Sequence, residues 1–260
     1  MIAKNRIPFN VRKTPKADVV PGMDPGSWTL KIPQGPKGNY RLAQLDDDNA
    51  YTRNGLPWRA PVNLSLRART SAPDLPGTWG FGFWNDPFSL SLGFGGGKRH
   101  FPTLPNAAWF FFSSPQNYLS FRDDLAANGF IAQTFHSSGV PTPLLALGVL
   151  GFPLLLWPWL AHKLRAYFHT LIAEDSFPLN IDVTQWHSYT LGWYNDKVTF
   201  KAGDQIFDTR ITPNAPMGFV LWIDNQYAAF PPSGKLSFGT LANPQPAWLE
   251  IEALTLEKIN

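Results

Sequence analysis

The chain has 260 residues, with 22 basic and 19 acidic side chains, a formal net charge of +3, no cysteine, 25 prolines, 21 glycines, 11 tryptophans and 20 phenylalanines. Charged side chains make up 16% and aromatics 15%, which excludes an intrinsically disordered chain, and the recurring prolines exclude a coiled coil. The absence of cysteine excludes disulfides and thiolate metal sites, and so small a basic excess, with no basic run beyond Lys98-Arg99-His100, argues against a nucleic-acid partner.

Residues 1–26 are polar and proline-rich and read as a loosely attached arm. They contain no apolar stretch of the secretory type, so the expected location is cytoplasmic, with peripheral contact to a membrane. From residue 27 to 260 the pattern is strand and turn. Trp28, Leu30 and Ile32 alternate, and Pro33-Gln34-Gly35-Pro36-Lys37-Gly38 marks a turn. Asn63–Thr70, Gly80–Trp84 and Trp186–Trp193 alternate with period two, and Lys197–Lys201, Met217–Ile223 and Trp248–Leu256 continue the series. Short alternating runs between Gly, Pro and Asn turns predict an antiparallel sandwich. No internal repeat is visible.

The stretch at about 140–176 departs from this pattern. Leu144 to Ala161 is 18 residues without a polar side chain, the lower limit for a membrane span. Gly148, Gly151, Pro153 and Pro158 would interrupt one continuous helix, and strands on both sides belong to one sandwich. An interfacial insertion or a lid over the cleft is therefore predicted instead of a span. Within it, Trp157, Leu160, Ala161, Leu164, Tyr167, Phe168, Leu171 and Ile172 form a helical stripe, with His162, Lys163, Arg165 and His169 on the other face. Trp157 and Trp159 suit a headgroup region, and Lys163 and Arg165 suit anionic lipid.

Residues 64–86 carry Arg67, Ala68, Arg69, Gly77, Trp79, Phe83 and Trp84, and residues 186–205 carry His187, Tyr189, Trp193 and Phe200. In these positions the chain resembles the concanavalin A-like jelly roll of family 16 glycoside hydrolases, over about 60–260 apart from the insertion. The resemblance implies an all-β jelly-roll sandwich with an apolar helical insertion, in which residues 216–226 form a cleft strand and Trp248–Lys258 the closing strand. Retaining enzymes of that family carry E-x-D-x-E on one cleft strand, with nucleophile and acid about 5–5.5 Å apart. Here the corresponding stretch is Leu104-Pro-Asn-Ala-Ala-Trp-Phe-Phe-Phe-Ser-Ser114, and no carboxylate lies between Asp86 and Asp123. The family chemistry is not carried over. Either face of that strand is apolar: Ala107, Trp109 and Phe111, or Ala108, Phe110 and Phe112.

On the same topology Asp86, after Trp84-Asn85, and Asp224, after Trp222 and before Asn225-Gln226, are expected near each other on the concave sheet. There they would form a polar cluster in an apolar cleft, with an acid whose pKa burial raises. The expected ligand-binding set is Trp84, Asn85, Trp109, Phe110, Phe111, Trp222, Asn225 and Gln226. The function expected first is binding of a lipid, isoprenoid or glycolipid at a membrane surface. One alternative is a cyclase- or isomerase-type enzyme on a hydrophobic substrate, with Asp86 or Asp224 as acid. A second is a carbohydrate-active protein with rearranged carboxylates. His100, His136, His162, His169 and His187 form no metal-binding spacing. Asp46-Asp47-Asp48-Asn49 could offer oxygens to calcium but reads as a solvated loop, and Gly93–Gly97 reads as a flexible one. No metal and no cofactor is expected, and no nucleophile triad is recognisable.

Overall fold

The structure is a computed structural model and describes residues 9–48, 52–87, 103–138 and 157–259. The expectations placed on residues 1–8, on Gly93–Gly97, on Lys98-Arg99-His100 and on the apolar run up to residue 156 lie outside the described residues.

In chain order the strands are β1 (Asn10–Lys13), β2 (Asp18–Pro21), β3 (Trp28–Ile32), β4 (Leu42–Asp46), β5 (Val62–Thr70), β6 (Thr78–Trp84), β7 (Ala107–Ser113) and β8 (Gly129–Ser137). Helix α1 (Pro158–Leu171) then runs directly into β9 (Ile172–Pro178). The remaining strands are β10 (His187–Trp193), β11 (Val198–Ala202), β12 (Gln205–Thr209), β13 (Gly218–Asp224), β14 (Gln226–Ala229), β15 (Ser237–Thr240) and β16 (Ala247–Lys258). One seven-stranded antiparallel sheet has the order β1-β4-β13-β6-β7-β8-β9, and a second has the order β12-β11-β10-β5-β16-β3-β2. They pack as an all-β sandwich of jelly-roll type, and β14–β15 form a separate ribbon.

The two sheets differ in how many faces they bury. In β5, Val62, Leu64, Leu66 and Ala68 point into the sandwich, while Asn63, Ser65, Arg67 and Arg69 point out. The outer face of this sheet is solvated and carries the cross-strand ion pairs Arg67–Glu252 (2.9 Å) and Arg69–Glu250 (2.7 Å). Arg69 also lies over the rings of Trp186 and Trp248, at 4.9 and 5.5 Å. One dry face and one wet face yield the alternation that makes such strands legible. The other sheet is dry on both faces along β7 and β13, where every residue is buried. Its inner face adds Phe81, Phe83, Phe110, Phe112, Phe219 and Leu221 to the main core. Its outer face carries a second apolar cluster, built around Trp109, Phe111, Ile131, Phe135, Val220 and Trp222.

Two expectations about segment boundaries are corrected. Residues 10–13 and 18–21 of the expected arm are strands, one paired with β4 and the other with β3. Asp46 anchors β1: its carboxylate receives Arg12 Nε at 2.6 Å and Asn10 Nδ2 at 3.1 Å. The insertion ends at Leu171 rather than 176, because Ile172, Glu174 and Ser176 are buried in alternation and β9 pairs with β8. The helical stripe itself is present as α1. Proline at its first turn needs no intrahelical donor.

Candidate functional site

A cleft of about 340 Å³ lies over the outer face of the doubly buried sheet. Register determines its floor. Gly80 of β6 faces Trp222 of β13 on one side and Phe111 of β7 on the other. Gly82 faces Val220 and Trp109, and Trp109 faces Gln133 of β8. The two glycines leave room for the rings beside them. A Cβ at Gly80 would come within 2.8 Å of the Trp222 ring, and one at Gly82 within 2.6 Å of Trp109 Cα.

The rings then tile the floor. Trp84 and Trp222 stack at 6.4 Å with an interplanar angle of 8°. Trp109 stacks on Phe111 at 5.3 Å and meets Trp222 at 5.6 Å, and Phe135 stands edge-on to Trp109 at 6.2 Å. Both central indole N–H groups are satisfied within the protein. Trp222 Nε1 donates to Thr78 Oγ1 at 2.9 Å, and Trp109 Nε1 donates to Gln133 Oε1 at 3.1 Å.

The sides are closed by Tyr118, Leu119, Ser120 and Phe121 of one loop and by Tyr227 and Ala228 of β14 with Phe230 just after it. Helix α1 braces these walls from behind. Arg165, with its side chain 2% exposed, donates to the carbonyls of Ser120 (2.7 Å), Phe230 (2.6 Å) and Arg122 (2.6 Å) and pairs with Asp123 at 3.1 Å. Its inward turn corrects the expectation that it faces lipid: a guanidinium fork can satisfy several carbonyls at once, which a solvated position would leave unused. Trp157, Trp159 and Tyr167 are 66%, 67% and 53% exposed, and Lys163 Nζ sits 4.3 Å above the Trp159 ring.

The polar groups of the cleft stand at its ends. Asp224 pairs with Thr78 at the start of β6, and Gly218 pairs with Trp84 at its finish. The six residue steps from Thr78 to Trp84 span about 20 Å at the rise of an extended strand, and Asp86 lies beyond Trp84. Asp86 and Asp224 both line the cleft, but they do not converge. This corrects the expected cluster: antiparallel neighbours place their C-terminal ends at opposite edges of the sheet.

Asp224 Oδ1 accepts Thr78 Oγ1 at 2.8 Å, Thr78 N at 3.3 Å and Gln226 N at 3.2 Å, while Oδ2 accepts the Tyr40 hydroxyl at 3.4 Å. Burial pushes the Asp224 carboxyl up to about 7, against the lowering effect of those donors. Burial and then the neighbouring Asp224 charge raise the Tyr40 phenol. Burial likewise pushes Asp86 up to about 7, opposed by the Arg53 charge. Arg53 donates to the carbonyls of Asn85 and Asp86 at 2.7 and 2.6 Å.

Of the expected ligand-binding set, Trp84, Trp109, Phe111, Trp222 and Gln226 line the cleft. Three others do not. Phe110 points into the main core against Phe81, Tyr189 and Phe200, because alternation sends it to the opposite face from Phe111. Asn85 is spent on Leu104 O and Asn106 N, and Asn225 on the backbone of Asn39, Arg41 and Leu241. Asp46 and Asp47 are buried, not a solvated loop. Asp46 ends β4 and turns to Arg12 and Gln44, while Asp47, just beyond the strand, turns the other way and accepts from Trp58 Nε1 and, at 2.8 Å, from Phe219 N, so they do not share an ion. Among the described residues no group of three potential ligands could hold a metal.

Tyr40, Gln44, Gln133 and the loop aromatics were missed by sequence reasoning. Alternation along Leu42–Asp46 and Phe130–Phe135 carried a signal for the two glutamines. Nothing in the sequence marks the loop residues that fold over the floor.

No protein-family model matches the chain, and no curated protein matches it. Among solved structures it is similar to LamAcat from Zobellia galactanivorans, at 11% identity over 89% of this chain and 77% of that one, with a TM-score of 0.44. It is also similar to the Bacillus licheniformis β-glucanase, at 10% identity over 90% and 79%, with a TM-score of 0.43. A third likeness is to a legume lectin-like domain from Entamoeba histolytica, at 8% identity over 97% and 90%, with a TM-score of 0.47. These are likenesses of fold, at values that carry no function to this chain.

Proposed function

We propose that the protein binds an elongated apolar or amphipathic small molecule in the aromatic cleft, at a membrane surface. The observation that carries this reading is the floor of Trp84, Trp222, Trp109 and Phe111, whose two central indole N–H groups are already satisfied inside the protein. Such a floor offers ring faces and little hydrogen bonding, which suits an apolar ligand. Hydrolysis of a glucan needs two carboxyl groups about 5–5.5 Å or 6.5–9.5 Å apart, whereas the two acids that line this cleft stand at its ends. The exposed Trp157, which precedes α1, and Trp159 and Lys163 within it support the membrane part, since α1 braces the cleft wall. No helix among the described residues is long and apolar enough to cross a membrane. A second reading, an enzyme on the same class of ligand, is favoured by an Asp224 carboxyl held protonated to near neutrality.

The test is binding of diphenylhexatriene, a neutral apolar rod that fluoresces once out of water. Saturable binding is expected, weakened at least ten-fold by Trp109→Ala and undisturbed by laminari-oligosaccharides. No saturable binding, or displacement by the oligosaccharide, would overturn the proposal. Mass spectrometry of any molecule carried through gentle purification, before and after incubation, separates carrier from enzyme: a changed mass means turnover.

A further inference from the structure

The cleft is apolar along its floor but not at its Asp224 end. There the carboxyl is oriented by three donors on a single oxygen: Thr78 Oγ1, Thr78 N and Gln226 N all reach Oδ1. The other oxygen, Oδ2, faces the Tyr40 hydroxyl across 3.4 Å. Both side chains line the cleft, next to the Trp222 ring, whose indole N–H is held by the same Thr78 hydroxyl. One phenol O–H and one carboxyl oxygen, side by side at the end of an apolar trough, make a paired donor and acceptor whose geometry is set by the backbone.

We propose that Tyr40 and Asp224 form a subsite for a hydroxyl group at the end of the apolar ligand. The ligand hydroxyl inserts into the long Tyr40–Asp224 contact: the Tyr40 O–H turns from Oδ2 to the ligand oxygen, and the ligand O–H takes its place as donor to Asp224 Oδ2. This rests on the reading of the cleft as an apolar-ligand site and adds the chemistry of one terminus. A hydroxyl matches because it both donates and accepts. An ether or ester oxygen only accepts, and leaves Oδ2 without a ligand donor. A carboxylate would set a second negative charge against Asp224 once that group ionises. Selection of this kind is strong in buried sites, because the wrong ligand leaves a desolvated polar atom unpaired.

The experiment is displacement of diphenylhexatriene from the wild-type chain by 1-dodecanol, by its methyl ether 1-methoxydodecane and by dodecanoate, at pH 8. The alcohol is expected to displace the probe at a concentration at least ten-fold lower than either of the others. Asp224→Asn keeps an acceptor at Oδ1 for Thr78 and Gln226 but puts an amide donor in place of Oδ2. It is expected to cut the alcohol-to-ether ratio to three-fold or less, and Tyr40→Phe, which removes the phenol donor, to do the same. Each ratio is taken within one variant, so a change in overall affinity cancels. A wild-type protein that binds the probe but ranks ether or carboxylate with the alcohol overturns the subsite and leaves the cleft reading standing. Unchanged ratios in both variants overturn it as well. Failure of the wild type to bind the probe at all overturns the cleft reading, and the subsite with it.

Discussion

Asp224 couples the cleft to the stability of the fold through its proton. In the unfolded chain an aspartate loses its proton near pH 4; in the folded protein burial defers that loss to about 7. Between these values the folded state holds the extra proton, so stability falls as pH rises. The slope is about 1.4 kcal/mol for each pH unit in that window, and it flattens above about 7. Asp224→Asn removes this contribution while keeping the Thr78 and Gln226 hydrogen bonds at Oδ1. Urea unfolding of wild type and variant between pH 4.5 and 8 is expected to show the wild type losing stability relative to the variant up to about pH 7, with the difference levelling off above it. A difference that is flat across that range would mean that the carboxyl titrates normally. Asp86 and Asp47 are raised to about 7 by burial too, so the variant keeps a slope of the same sign from those groups, which cancels in the difference between the two proteins.

At the scale of the strand, β7 tests the assignment of faces with two adjacent residues of one type. Phe110 is fully buried between the sheets, where Phe200 meets it edge-on at 5.3 Å. Phe111 lies on the other face, stacked on Trp109 and tilted against Trp222. Phe110→Ala opens a closed cavity in the main core and is expected to cost about 3–5 kcal/mol. Phe111→Ala enlarges a cleft that is already open to solvent, and about 1–2 kcal/mol is expected. Diphenylhexatriene binding should show the reverse order: a ten-fold or greater loss for Phe111→Ala and less than a two-fold change for Phe110→Ala in the folded fraction. The two measurements are urea midpoints and probe titration; the opposite ranking in either would mean that the strand is turned over.

For the whole molecule, the placement of α1 joins the exposed aromatic face to the cleft. Its inner side is committed to the fold through Arg165 and through Phe168, whose ring meets Phe121 edge-on at 5.8 Å. Its outer side leaves Trp157 and Trp159 two-thirds exposed beside Lys163. Exposed side chains contribute little to folding, so Trp157→Ala with Trp159→Ala should leave the thermal midpoint within about 2 °C. The same pair is expected to weaken co-flotation with anionic liposomes about ten-fold, since interfacial indoles and a nearby cation carry such attachment. A wild-type chain that stays with the aqueous phase at low salt would remove the membrane from the proposed function.

By itself the sequence determined the architecture and the apolar character of the cleft. Alternation at Asn63–Thr70 and Trp186–Trp193 is what a sheet with one wet face imposes, and both runs are strands of that sheet. The carboxylate-free, ring-filled stretch at 104–114 already described a strand buried on both sides, but a strand with two dry faces has no polar residue to say which way it points. Only pairing with β6 and β8 decided that Phe111 faces the cleft and Phe110 the core. Arg165 sits on the polar side of a helical wheel in either environment. Its burial depended on three carbonyls contributed by two loops distant in sequence. Asp86 and Asp224 occupy like positions, each two residues after a tryptophan. Strand direction alone, a property of the assembled sheet, set them at opposite ends of the cleft.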